Sequence, residues 1–396
     1  MFHNVYIDGV LSDIEVENGI ITNIIPAAGT SAEPLSFAIP AFANLHTHSA
    51  MTLLRSCGSG LPLFRWLNDA IFPREAQLTA ETIYQGALDA CDEMRNTGTS
   101  AFNDMYFHVE STIRAAVERG LEANIALSVA DGDFENGNLK SFIERYETLS
   151  HSIEPGRNIT VSIAPHAIYT VSGKHLQYLA DFAQEHDTLF HIHLSETQKE
   201  REDCEKLYGV PPVIYLDRLG ILDKTGSRFI GAHALWLDDT EIKILGEHRA
   251  NVVHCPNSNL KLGSGFRFLY TELRDAGVNV TLGTDGCASS DNLDMVEAMK
   301  IMSLLQKGTR NDPSVLPAEE VLQVATANGR KALRLPDNSI KKGNVANFSI
   351  IRLDNPVFKG VDLHSSPDKL HSELLNRLVY AAHGNAISQT IIQRKQ

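Results

Sequence analysis

Cysteine is sparse in this chain and shows no pairing pattern. Cys57, Cys91, Cys204, Cys255 and Cys287 are odd in number and contain no Cys-x-x-Cys spacing. A disulfide framework is therefore not expected, and a reducing compartment is the simplest setting. Basic charge is also short. The 35 Lys and Arg face 49 Asp and Glu, for a net charge of −14 and a pI near 5.6. An acidic surface does not attract nucleic acid or an anionic membrane, so neither is expected as a partner. No apolar run is long enough to cross a bilayer, and no basic region followed by a long apolar stretch opens the sequence. A cytoplasmic protein follows as the expectation. Short-period repeats and low-complexity segments are lacking too.

What remains is 396 residues of ordinary globular composition, 43% hydrophobic and 21% charged. That is enough for a large barrel with an appendage. Eight short apolar or β-branched segments read as strands: 37–46, 99–106, 124–130, 159–166, 188–194, 228–234, 250–255 and 278–285. Helical periodicity fills the gaps. Ile83, Ala87, Cys91 and Met94 share a face after Thr79, with Gly98 as a stop, and Pro317 with Glu319 and Glu320 marks another helix start. Alternating strands and helices imply a parallel sheet, and eight units fit a closed (β/α)8 barrel. A doubly wound open sheet competes, but no Gly-x-Gly-x-x-Gly follows the first strand. The ends read differently. Val5–Val10 and Ile14–Ile25 resemble a hairpin turning at Asn18-Gly19, and Gly343–Ile351 reads as a further strand. The expected organisation is an α/β TIM barrel over residues 40–335. A small β-sandwich is expected from residues 1–39 and 336–396.

Unusual polar residues fall at the C-terminal strand ends, where such barrels carry their active sites. His46 and His48 sit one residue apart, so in a strand both imidazoles face one side. Later ends carry His191-Ile-His193-Leu-Ser-Glu196, Gly231-Ala-His233 and Gly283-Thr-Asp285-Gly286. His46, His48, His193 and Asp285 are candidate metal ligands of the imidazole and carboxylate type that catalytic zinc takes. Glu196 suits proton transfer, His233 suits contact with a metal-associated water, and Asp285 can also accept a proton. Taken singly, each has a plainer reading, such as a solvated histidine or an acid at a helix N-terminus. His254 reads as structural or as a neighbour of the site, and Cys255 and Cys287 as packing.

These residues in this order resemble the amidohydrolase superfamily. The similarity runs to its cytosine-deaminase-like and chlorohydrolase-like branch, and within that to the 5′-methylthioadenosine/S-adenosylhomocysteine deaminases. The carrying segments are Asn44–Arg55, Leu61–Leu67, Asp104–Phe107, Ala164–His166, His193–Thr197, Ala232-His233, Asn257–Gly263 and Leu282–Gly286. The resemblance implies one divalent metal ion, usually Zn2+ with Fe2+ or Mn2+ as alternatives, held by His46, His48, His193 and Asp285. It implies that Glu196 shuttles a proton to the ring nitrogen, that His233 assists at the water and that Asp285 takes the water's proton. Glu75 would contact ribose hydroxyls, while His166 and Trp66 would line the substrate pocket.

The implied reaction is hydrolytic deamination of a small-molecule adenosine-type nucleoside. Hydrolysis of another amino- or halo-heterocycle (guanine, cytosine, a pterin, a triazine) is the alternative, and a non-catalytic scaffold the remote one. A homo-oligomer is common among such proteins. Two departures stand out. Leu127–Asn138 contains no arginine and three acids, Asp131, Asp133 and Glu135. If this segment lines the pocket, neutral 5′-substituents should be preferred over a carboxylate tail. Asn347 stands where aspartate is frequent, with no functional effect expected.

Overall fold

The computed structural model describes residues 1–27, 34–134, 139–153 and 158–393. Strands β1 (Phe2–Ile7), β2 (Val10–Glu17) and β3 (Ile20–Pro26) form an antiparallel meander. Its turns are Asp8-Gly9 and Asn18-Gly19, and all four residues have φ between 47° and 79°. Two consecutive positive φ values give the turn whose twist matches the flanking strands. The turn at Asn18-Gly19 is the expected one. The turn at Asp8-Gly9 divides a stretch that reads as one strand.

The apolar run from Phe37 to His46 also divides. β4 (Ser36–Pro40) pairs in parallel with β1, whereas β5 (Phe42–Thr47) begins the barrel. Pro40 has no N–H to give to a ladder, and the chain changes partners there. Ala41 donates to the Asn347 carbonyl and Phe42 to the Gly98 carbonyl.

The barrel continues through β6 (Thr99–Tyr106), β7 (Glu122–Val129), β8 (Ile159–Pro165), β9 (Phe190–Leu194), β10 (Phe229–His233), β11 (Asn251–His254) and β12 (Asn279–Leu282), neighbours in chain order. All the strand pairings in this sheet are parallel. Helices fill the connections. Thr79 caps the helix Ala80–Asn96 with its hydroxyl, Ile83, Ala87, Cys91 and Met94 are buried, and Gly98 follows with φ 98°. Pro317 likewise precedes the helix Ala318–Ala325.

The seam between β12 and β5 closes through specific contacts. The Asn44 amide donates to Thr284 Oγ1 at 2.7 Å, and its oxygen accepts from Thr284 N at 3.0 Å. Asp285 N donates to the His46 carbonyl at 2.9 Å. A Cβ on Gly283 would lie 2.9 Å from His46 N, so this close approach requires glycine.

The second sheet draws on both ends of the chain. β13 (Phe348–Arg352) pairs antiparallel with β4 and with β14 (Ile387–Ile391), giving the order β14-β13-β4-β1-β2-β3. The strand read at Gly343–Ile351 thus begins only at Phe348. Asn347, just before it, is buried. It donates to Glu122 Oε2 at 2.8 Å and accepts from Gln393 N at 2.7 Å. Glu122, at the base of the barrel, also takes both terminal nitrogens of Arg330. Acid and arginine are both at most 2% exposed. Among the described residues, no helix is long and apolar enough to cross a membrane.

A buried carboxylate deprived of its cation is costly. Arg330→Met should therefore lower unfolding stability by about 3–5 kcal/mol in denaturant titration. A change under about 1 kcal/mol would show that Glu122 is adequately solvated without its partner.

Candidate active site

The C-terminal ends of β5, β9, β10 and β12 bring His46, His48, His193, His233 and Asp285 together. His46 Nε2 lies 3.5 Å and His48 Nε2 3.3 Å from Asp285 Oδ1, and His193 Nε2 lies 3.3 Å from His48 Nε2. The opposite ring nitrogens are already engaged. His48 Nδ1–H donates to the Met105 carbonyl, and His193 Nδ1–H to the His166 carbonyl at 2.8 Å. That fixes their tautomers and turns the Nε2 lone pairs inward. His46 Nδ1 shares a hydrogen with His191 Nε2 at 3.0 Å.

His46 Nε2 is buried without a hydrogen-bond partner. His46, His48 and His193 each place a ligand atom within 4.8 Å of the others, as do His46, His233 and Asp285. An orphaned buried nitrogen facing convergent imidazole and carboxylate donors fits a divalent cation.

Several contacts orient the acids. Asp285 Oδ2 accepts from the Ser258 hydroxyl at 2.6 Å, and Oδ1 from Gly286 N at 2.7 Å. Asn259 donates to His233 Nδ1 at 3.0 Å, which places the His233 proton on Nε2. That nitrogen is 3.8 Å from Glu196 Oε2. Glu196 accepts from the Ser264 hydroxyl at 3.2 Å. Asp285, His233 and Ser195, the neighbour of Glu196, all have positive φ, at 65°, 78° and 46°. Such backbone is sparsely populated by residues with a Cβ and persists where surrounding contacts hold it.

Burial separates the protonation states. It lowers His46 and His233 to about 4, so both rings are neutral near pH 7. Burial would raise the Asp285 carboxyl, but the His46, His48 and His233 side chains converging on it hold it well below the usual range. Burial, helped by the Asp285 charge, pushes Glu196 up to about 8. One carboxyl is thus ionised and its neighbour protonated within a single site.

The expected pocket residues all line one cavity of about 600 Å3 that also contains His48, His193, His233, Glu196 and Asp285. Trp66 is buried and donates its indole N–H to the Cys57 carbonyl, so it offers the cavity an apolar face. Glu75 accepts from the Tyr106 hydroxyl at 2.8 Å, and burial raises its pKa. His166 Nδ1 meets Thr170 Oγ1 at 3.0 Å.

The segment 127–138 departs from expectation. Leu127–Ala130, Asp133 and Phe134 line the cavity, but Asp131 accepts from His175 Nδ1 and Ser172 N instead. Glu135 lies outside the described residues. An arginine does reach the cavity from the next helix. It is Arg145, held by Glu110 through Nε at 3.0 Å and Nη2 at 2.9 Å.

Other residues escaped the sequence reading. His191 faces the same way as His193 because one residue separates them on β9, and that period of two was its available signal. The Asn103 amide is 3.0 Å from His191 Nδ1, and its oxygen accepts from Asn124 at 2.7 Å, extending a polar column into the barrel. Ser258, Asn259 and Ser264 follow β11; the first two lie in a segment that carries the family resemblance, but no role was read for any of the three. His254 is buried and stacks on Phe268 with ring centroids 4.1 Å apart, as a structural residue does.

Residues 37–395 match the amidohydrolase family. A 5′-deoxyadenosine deaminase of Methanoregula boonei is 42% identical, the alignment covering 98% of this chain and 85% of that protein. A 5-methylthioadenosine/S-adenosylhomocysteine deaminase of Thermococcus kodakarensis is 38% identical, covering 98% and 90%. Among solved structures, an adenosine deaminase from Xanthomonas campestris with bound zinc superposes with a TM-score of 0.86 at 30% identity, covering 97% of this chain and 88% of that one.

Burial lowers His254 to about 3. A depressed histidine stays neutral in the fold while the unfolded chain takes up its proton below about 6.5, so stability falls as pH drops. Between pH 6.5 and 4, wild type should lose stability more steeply than His254→Gln, by up to about 1.4 kcal/mol per pH unit. Parallel denaturation profiles of the two proteins would contradict this.

Proposed function

The chain belongs to the amidohydrolase family, and from that premise we propose that it is a zinc-dependent deaminase of adenosine-type nucleosides, yielding the inosine analogue and ammonia. The observation that carries the reading is geometric: the His46, His48 and His193 imidazoles and the Asp285 carboxylate converge on one point, with buried Glu196 3.8 Å from His233 Nε2 beside them. The zinc-bound relative supports zinc as the cation. The chemistry is assigned to the barrel, taken as residues 40–335, while β1–β4, β13 and β14 form the appended sheet.

His46, His48, His193 and Asp285 would hold the cation. When bound, it supplies a water acidic enough to attack near neutral pH. Asp285 takes the proton of the attacking water, with Ser258 fixing the orientation of the carboxylate. His233, carrying its proton on Nε2, donates a hydrogen bond to the incoming oxygen. Glu196 gives its proton to the ring nitrogen beside the amino-bearing carbon. Oxygen adds to that carbon, the proton held by Asp285 passes to the amino group, the C–N bond breaks to release ammonia, and the proton of the added hydroxyl returns to Glu196 as the carbonyl forms. Glu75 receives the ribose hydroxyls, and the faces of Trp66 and His166 confine the nucleoside.

The preference for neutral 5′-substituents stands on revised grounds. Arg145 is present, but Glu110 neutralises it, and Asp133 adds negative charge to the same wall. A carboxylate tail would have to compete with Glu110 for the guanidinium.

Zinc-loaded protein should release ammonia from adenosine, 5′-deoxyadenosine and 5′-methylthioadenosine. Chelation should abolish this and zinc restore it. Glu196→Gln should lower kcat by about 10²–10⁴-fold. Silence on every adenosine from metal-loaded protein would end this reading. The same assay ranks S-adenosylhomocysteine below the neutral nucleosides, with Glu110→Gln narrowing the gap. If S-adenosylhomocysteine has the highest kcat/KM of the set, the argument from Glu110 is wrong.

A further inference from the structure

We propose that Glu200 is a positioning residue for the proton shuttle: its buried carboxylate fixes the backbone turn that aims Glu196 into the cavity. The inference rests on the role proposed for Glu196. Glu200 lies in the first turn of the helix Gln198–Tyr208, whose other first-turn side chains, Gln198 and Lys199, pair with Glu202 and Asp203 on the exposed face. Glu200 is instead 3% exposed and turns back toward the strand. Its Oε1 accepts from Ser195 N at 2.9 Å and its Oε2 from Glu196 N at 2.8 Å.

This differs from an ordinary capping box, in which a glutamate at the third helical position reaches the N-cap N–H. Here the N-cap is Thr197, whose hydroxyl accepts from Glu200 N at 3.1 Å. The Glu200 carboxylate reaches beyond the N-cap to the two residues before it, with the Thr197 N–H also turned toward it. Those residues need holding. Ser195 has φ 46°, a left-handed conformation in a residue with a Cβ, and its hydroxyl is buried without a partner. Both oxygens of Glu200 accept from adjacent N–H groups, and this pair of bonds defines the turn's orientation.

The turn also ties two strand ends together. The Leu194 carbonyl accepts from Ala234 N at 2.8 Å, and the Ser195 carbonyl accepts from Leu235 N and Trp236 N at 3.1 Å each. Ala234 directly follows His233, and both have positive φ. One carboxylate thus sets the Glu196 backbone and, through Ser195, braces the chain leaving β10. Glu200 does not itself line the cavity, so it acts through Glu196 and not on substrate. Glutamine cannot substitute fully, because its amide nitrogen would face an N–H donor. Aspartate is one methylene too short to span the turn.

The test uses the zinc-loaded enzyme and the adenosine nucleoside that wild type turns over best. Glu200→Gln should lower kcat by about 30-fold, the size of leaving one buried N–H donor without its acceptor, with KM within threefold and bound zinc unchanged. In a Glu196→Gln background the same change should cost less than threefold, because its effect passes through the missing acid. Amide exchange at Ser195 and Glu196 should quicken by about 30-fold while β9 stays protected, a readout that needs no turnover. If Glu200→Gln does not accumulate as folded protein, Glu200→Asp is held to the same criteria. The proposal is overturned by kcat within threefold of wild type, by multiplicative losses in the two backgrounds, by loss of zinc in proportion to activity, or by unchanged exchange. Inactive wild type would count against the proposed function alone, and the exchange measurement would then decide the role of Glu200.

Discussion

The closure of the barrel between its first and last strands is the constraint on which the site depends. β5 supplies His46 and His48, and the loop after β12 supplies Asp285, more than two hundred residues later in the sequence. The Asn44–Thr284 pair and the bond from Asp285 N to the His46 carbonyl set the distance between them. The missing side chain at Gly283 lets the two backbones approach. Barrel closure and assembly of the ligand set are therefore one event. A ring that closed with a slipped register would move Asp285 off the imidazoles as well as disturb the core.

Beneath the site the barrel interior is polar. His191, Asn103 and Asn124 continue inward from His46, with Asn124 also bonded to Ser162 at 2.7 Å. A buried network of this kind is stabilising only when its members are satisfied, and then it fixes rings and tautomers tightly. The same burial lowers the His46 and His193 imidazoles and raises the Glu196 carboxyl. Desolvation thus acts in opposite senses on base and acid, and each is left in the state that its role requires.

The strand ends with the candidate ligands were legible because two local rules suffice for them: alternate strand residues share a face, and parallel barrels gather their C-terminal ends. His46 and His48 follow from the first rule, and His193, His233 and Asp285 from the second. Residues that act by supporting these were not legible. Asn259 beside His233, Ser258 beside Asp285 and Glu200 behind Glu196 carry ordinary residue types in ordinary contexts, and only the fold brings them into contact. The break at Pro40 was hidden because the residues on both sides are equally apolar and are buried in different sheets. Arg145 was missed because a window ending at residue 138 cannot see the next helix turning back onto the cavity. Asn347 looked idle, yet it is the hydrogen-bond donor that lets Glu122 serve both the barrel and the second sheet.

The second sheet also bears on synthesis at the ribosome. β4 is an interior strand whose antiparallel partner, β13, begins with Phe348 opposite Pro40. About 300 residues separate the two. At typical elongation speeds β4 therefore waits roughly 15–60 s for its neighbour. Through that interval the nascent chain presents the unpaired edge of an apolar strand, Ser36-Phe-Ala-Ile-Pro40. The demand on cellular chaperones thus falls on the segment translated early, while the barrel is still being made.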